Sequence, residues 1–222
     1  MAFEVTDAQG VTLRKTYTFQ RGSYAVKVKH EVANAGAGVI NPQLYLQLQR
    51  DGQVEESNMF MAPAGYTGPA VFTQEAKFQK VAFEDIAKGK AEHVKTANDG
   101  WVGMVQHYFN SAWIVNESQP REFRTAKAGD NLYSVAMVMP LAAVAPGASV
   151  AHESLLYAGP QEENKLAALA PGLELVKDYG VLTILAKPLF WLLDKLHGLI
   201  GNWGWAIVAL VVLLKIAFYW LN

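Results

Sequence analysis

The sequence predicts a mainly β protein, an antiparallel sandwich of short strands, followed by a C-terminal amphipathic helix and one transmembrane helix. Three observations carry this. Apolar and polar residues alternate with a period of two in short runs between Val11 and Tyr157. Charge then thins out, with Lys187, Asp194, Lys195 and Lys215 the four charged residues among the last 44 positions. Four of the six Trp residues, Trp191, Trp203, Trp205 and Trp220, lie in the last 32 positions.

Composition bounds the function. Of 222 residues, 51% are hydrophobic, enough for a core, which excludes disorder for most of the chain. The net charge of −1, without a basic block, excludes a nucleic-acid partner, whose binding rests on phosphate neutralisation. The absence of Cys excludes a disulfide scaffold, a thiolate zinc site and a Cys nucleophile. The amino end, MAFEVTDAQG, has neither the basic nor the apolar region of a signal peptide. An exported body therefore needs an exporting segment outside this sequence.

Val11 to Phe19 and Tyr24 to Glu31 alternate on either side of Arg21-Gly22-Ser23, which makes a hairpin. Leu44, Leu46 and Leu48 mark a third strand, ended by Asp51-Gly52. Met59 to Pro69, with two Gly and two Pro, reads as irregular, and Phe78 to Phe83 as a short strand. Gly100 to Phe109 and Ala112 to Val115 read as buried aromatic strands. Leu132 to Met139 and Ser149 to Tyr157 complete the set, with the Pro146-Gly147 turn between them. Gln161 to Leu169 is acidic first and apolar later, which predicts a short helix ended by Pro171-Gly172. The organisation is a β sandwich over 1–160, a short helix and linker over 161–181, an amphipathic helix over 182–200 and a span over 203–221.

On a helical wheel, Thr183, Asp194, Lys195, His197 and Gly198 fall within about 80° of Lys187. Leu185, Leu189, Leu192, Leu193, Leu196, Leu199 and Ile200 fall opposite. Pro188 fits a first turn, so the continuous helix is expected to begin near Lys187. Such a stripe fits a helix packed on the sandwich or one lying in the membrane interface, and the next segment favours the interface. Trp203 to Leu221 carries one charge and spans roughly 28 Å as a helix, about one hydrocarbon core. Trp203 and Trp205 at one end and Tyr219 and Trp220 at the other form the expected aromatic belts. The charge within it, Lys215, either snorkels toward the Leu221 end or faces a polar, functional cavity.

Enzyme signatures are missing: there is no HExxH, GxSxG, GxGxxG or GxxxxGK[ST], and no two His residues have helical zinc spacing. Glu55-Glu56 and Glu162-Glu163 read as solvated surface, and His107 as a packed strand residue. Asn116-Glu117-Ser118 matches a glycosylation sequon, a frequent chance occurrence. No catalytic residue, metal site or cofactor is expected.

Four segments share one resemblance: Lys15 to Gly36 (KTYTFQRGSYAVKVKHEVANAG), Gly100 to Trp113, Ala170 to Gly180 (APGLELVKDYG) and Asp178 to Lys215. Together they resemble the YidC membrane protein insertases of Gram-negative bacteria over essentially the whole chain. The resemblance implies a periplasmic β-super-sandwich like that of sugar mutarotases, then a periplasmic amphipathic helix and the second transmembrane helix of the family. The first helix, the early strands of the sandwich and the later helices would lie outside this sequence, so this chain is not expected to insert proteins by itself. Lys215 aligns with the charged groove residue of the family, normally Arg, and keeps the charge without the guanidinium fork. Where the family continues Tyr-Pro-Leu, this chain has Tyr219-Trp220-Leu221. The implied function is insertion, folding and assembly of inner-membrane proteins. The implied partners are nascent inner-membrane proteins, the lipid bilayer, the Sec translocon and SecDF, and the implied place is the bacterial inner membrane with the body in the periplasm. Two alternatives stand beside it, a membrane-anchored recruitment domain and a mutarotase-like sugar-binding protein.

Overall fold

The computed structural model describes residues 1–53, 65–177 and 183–219, with side chains from 188 onward in the last segment. Glu55, Glu56 and Trp220, and the side chain of Lys187, lie outside the described residues. The chain divides into two compact units, 1–56 with 66–177, and 57–65 with 178–222.

The first unit is an antiparallel sandwich. Its strands are β1 (Ala2–Thr6), β2 (Val11–Thr18), β3 (Ala25–Asn34), β4 (Gln43–Asp51), β5 (Gly68–Thr73), β6 (Lys77–Lys80), β7 (Thr96–Ala97), β8 (Trp101–Val105), β9 (Phe109–Ile114), β10 (Arg121–Gly129), β11 (Leu132–Pro140) and β12 (Ser149–Pro160). Eight form one sheet in the order β1-β2-β3-β12-β9-β8-β5-β6, and four form the other, β4-β11-β10-β7. The expected hairpin exists, with Tyr17 opposite Val28 and Leu13 opposite Val32.

Period-two alternation explains the core. Val28, Val71, Val102, Met104 and Trp113 of the large sheet meet Leu44, Leu46, Phe123, Val135, Met137 and Met139 of the small one. Alternate residues, Ala70, Phe72, Trp101, Ile114 and Tyr157, point the other way and are also buried. They are covered by helix α2 (Glu163–Leu169) and a 3-10 turn (Leu173–Val176), through Leu166, Leu173 and Val176. The two core Trp residues thus serve opposite faces. Trp113 donates Nε1–H to the Gln47 carbonyl (3.1 Å), and Trp101 to that of Pro171 (3.1 Å). Each satisfies the one polar atom that burial of an indole would strand.

Several expectations are corrected. Gly100 to Phe109 is not one strand: β8 and β9 pair across a turn at Gln106–Tyr108, in which His107 is exposed against the Tyr108 ring rather than packed in a strand. Strand β5 begins at Gly68, inside the segment read as irregular. The run to Phe83 ends as a strand at Lys80, because Phe83–Ala87 forms helix α1, which buries Phe83 and Ile86. The Pro146-Gly147 turn lies where it is expected, and it leads from the small sheet to the large one, since β11 and β12 lie in different sheets.

The second unit contains helices α3 (Thr183–Ile200) and α4 (Trp203–Ala217). Helix α3 begins at Thr183, before the expected Lys187, and Pro188 lies inside it. Helix α4 stops at Ala217, short of Leu221. Phe218 leaves helical geometry at φ −92°, ψ 7°, in a run of aromatics of reduced helix propensity. At 15 residues it measures about 22 Å. No described helix is long and apolar enough to cross a membrane.

Candidate functional site

The sequence places its candidate residues on α3 and α4. Along α3, Leu189, Phe190 and Trp191 are exposed, and Leu192, Asp194 and Leu196 are half-buried. Lys195 is exposed. Leu199, at 85%, is among the most exposed apolar side chains described. Along α4, Trp203, Trp205, Ile207, Val208, Val211, Val212, Leu213 and Ile216 are all exposed, with Ala206 its buried residue. Phe218 and Tyr219 continue this surface. A helix exposing apolar side chains this widely lacks an aqueous face and calls for an apolar partner.

Lys215 is exposed in the last turn of α4. The carbonyl dipoles at this end favour a cation, a contribution the sequence reading missed. The Phe218 N–H takes up the Leu214 carbonyl (2.9 Å).

The corner between the two helices is built from few residues. Gly201 adopts φ +72° and donates its N–H to the His197 carbonyl (2.7 Å), which closes α3. Asn202 is extended and caps α4, accepting the Trp205 N–H at Oδ1 (3.3 Å). The His197 and Trp203 rings stack across the corner, centroids 3.7 Å apart and planes 9° apart. The wheel treated His197 as part of the polar strip; its distance in sequence from Trp203, bridged by Gly201-Asn202, was the available signal.

The β unit offers different chemistry. A groove of about 880 Å³ opens on the large sheet, where Leu155 and Ile114 meet the β2–β3 turn with Phe19 and Arg21. Lys27, Glu117 and Glu153 also line it. A His–Glu pair stands near it: His152 Nδ1 lies 3.3 Å from Glu117 Oε2. Yet His152 is 8% exposed and is not a lining residue, so the pair does not present both groups to the groove. Burial lowers the pKa values of His152 and His30, the latter to about 4, with Lys15 and His152 adding to the shift of His30. Among the described residues no group of three or more His, Asp or Glu could hold a metal.

Arg121, which sequence reasoning also missed, is 2% exposed. Its guanidinium donates to the carbonyls of Gly100 (2.8 Å), Val115 (3.2 Å), Asn98 (3.3 Å), Gln119 (3.3 Å) and Glu117. One side chain therefore ties the loops around β8, β9 and β10 together. Burial lowers its pKa, opposed by Asp99 and Glu117.

The structure defines the class of protein, an antiparallel sandwich followed in the chain by a pair of helices with widely exposed apolar side chains. Comparison with known proteins identifies the family. The family model of the YidC periplasmic domain matches residues 1–192, and the chain belongs to that family. It is 54% identical over 96% of its length to the membrane protein insertase YidC of Janthinobacterium sp. (strain Marseille). It is 55% identical, again over 96%, to that of Cupriavidus taiwanensis. The chain spans 38% of the length of each of these two curated relatives. Among solved structures, a galactose mutarotase related enzyme from Lactobacillus acidophilus aligns with TM-score 0.44 and 9% identity, covering 71% of this chain and 67% of that one. A putative aldose 1-epimerase from Escherichia coli K12 aligns with TM-score 0.42 and 9% identity, covering 71% and 63%.

Proposed function

We propose that this chain supplies the periplasmic β domain and the membrane-attachment helices of an insertase that inserts, folds and assembles inner-membrane proteins. The observation that carries this reading is the apolar exposure of α4, set beside family membership. Exposed Ile, Val, Leu and Trp side chains are costly in water and neutral in hydrocarbon. In this reading α3 lies along the periplasmic interface, with Asp194 and Lys195 toward water and Leu189, Leu192 and Leu196 toward lipid. Helix α4 enters the bilayer at Trp203 and Trp205, with Tyr219 toward the far interface.

No bond is made or broken. Lys215 contributes charge to a polar cavity formed with helices of the longer protein. A hydrophilic flank of the client partitions into that cavity while its apolar helix moves into lipid. The cavity thereby lowers the cost of carrying polar groups through hydrocarbon. The clients are nascent inner-membrane proteins, received alone or beside the Sec translocon and SecDF. The β domain faces the periplasm.

The test depletes a host cell of its own insertase and supplies the longer protein that contains this chain. Restored membrane insertion of a client supports the reading. Expression and membrane localisation without restored insertion contradict it.

A further inference from the structure

We propose that the His197–Trp203 stack is the joint that fixes the angle between α3 and α4, which makes both rings positioning residues for everything further along α4. The joint has two non-helical residues, Gly201 at φ +72° and the extended Asn202. These two conformations choose the direction of the turn, and the backbone bonds of Gly201 and Asn202 close the two helix ends. None of these bonds runs from one helix body to the other. The face-to-face contact of His197 and Trp203, at 3.7 Å, does.

Leu199 is 85% exposed and Ile200 40%, and the buried side chain beside the stack, Ala206, is a single methyl that lets the helices approach without a long side chain to set their angle. Trp203 itself is 48% exposed, so the stack is at the surface and holds by ring contact rather than by burial. A loose corner would matter at a distance. Lys215 lies twelve residues beyond Trp203, about 18 Å along the helix, and a 20° change at the corner moves it by about 6 Å. An interaction needing hydrogen-bond geometry at Lys215 is lost over that displacement.

This inference rests on the reading in which α3 lies on the bilayer and α4 enters it, and its test separates the two. Nitroxides at Trp191 and Val212, in the whole chain reconstituted into phospholipid nanodiscs, report the interhelix distance by pulsed electron–electron resonance. The parent should give one narrow distribution. His197→Ala and Trp203→Ala should each broaden it at least twofold, and the double substitution should broaden it no further than either alone. His197→Phe, which keeps a stackable ring, should restore the narrow distribution. Circular dichroism monitors that all variants keep their helices. A narrow, unchanged distribution in His197→Ala, or full additivity in the double variant, overturns the joint. Oxygen accessibility of the Val212 label tests the membrane reading separately: a water-exposed label with an intact narrow distribution rejects the membrane placement and leaves the joint standing.

Discussion

His30 on β3 and His152 on β12 stand directly opposite each other in the sheet register, on the face that also carries Trp113. His30 Nε2 is 3.1 Å from Ser154 Oγ, and Nε2 of His152 is buried without a hydrogen-bond partner in the described structure. Two imidazoles so placed cannot both carry charge cheaply, and Lys15 and Arg121 add further positive potential against Glu117 and Glu153.

The pair predicts acid sensitivity of the β domain. Both His pKa values are depressed in the fold, His30 to about 4 from 6.5. The neutral forms are therefore favoured by folding. Stability is full above pH 6.5 and falls as pH drops from 6.5 toward 4. After allowance for the partial exposure of His30, the loss from this residue is about 1–2 kcal/mol. Urea unfolding at pH 7.5 and 4.5 should show it, and His30→Gln should flatten the dependence. Equal midpoints at both pH values in the parent would reject the role of the pair.

Arg121→Met should destabilise the β domain by about 3 kcal/mol, because it leaves several buried carbonyls without donors while filling much the same space. Arg121→Lys should recover little, since one ammonium cannot reach the carbonyls that the guanidinium fork spans. Denaturant midpoints of the three proteins decide the matter.

Gly172 and Gly147 have similar left-handed backbones, at φ +73° and +78°. Beside Gly147 there is open space, but a Cβ on Gly172 would stand 2.1 Å from the Phe72 ring. Gly147→Ala should cost about 1 kcal/mol of backbone strain. Gly172→Ala should cost at least twice that, by lifting the 3-10 turn from the sheet. Equal melting temperatures would mean that this layer is not packed as described.

In lipid, spin labels at Leu192 and Leu196 should be more accessible to oxygen than to a polar relaxer, and a label at Asp194 the reverse. Equal behaviour at all three would reject an interfacial α3.

Legibility followed burial. The β2–β3 hairpin could be read because one face of each strand stays wet and the alternation survives. Strand β5 could not. Ala70 and Phe72 pack under α2 while Val71 packs between the sheets, so no alternation remains, and Pro69 adds a turn signal at its start. Strands β8 and β9 fused in the reading because their turn, Gln106-His107-Tyr108, has no Gly, Pro or charge. Strand β10 escaped because Lys127 and Glu122 mask the inward Phe123 and Arg121. At the helices, composition located the segments and the Gly201-Asn202 break, but the stack across that break is a tertiary contact that no periodicity reports.

Lys215 is proposed to act through its charge during insertion. The most direct measurement is client insertion by the longer protein carrying Lys215→Leu or Lys215→Arg, at matched expression in insertase-depleted cells. Snorkelling alone predicts that Leu is harmless or stabilising, because it removes a cost on the order of 2.5–3.5 kcal/mol. A charged cavity at Lys215 predicts that Lys215→Leu lowers insertion of clients with polar translocated flanks and that Lys215→Arg retains it. Normal insertion of every such client by the Leu variant would contradict the account.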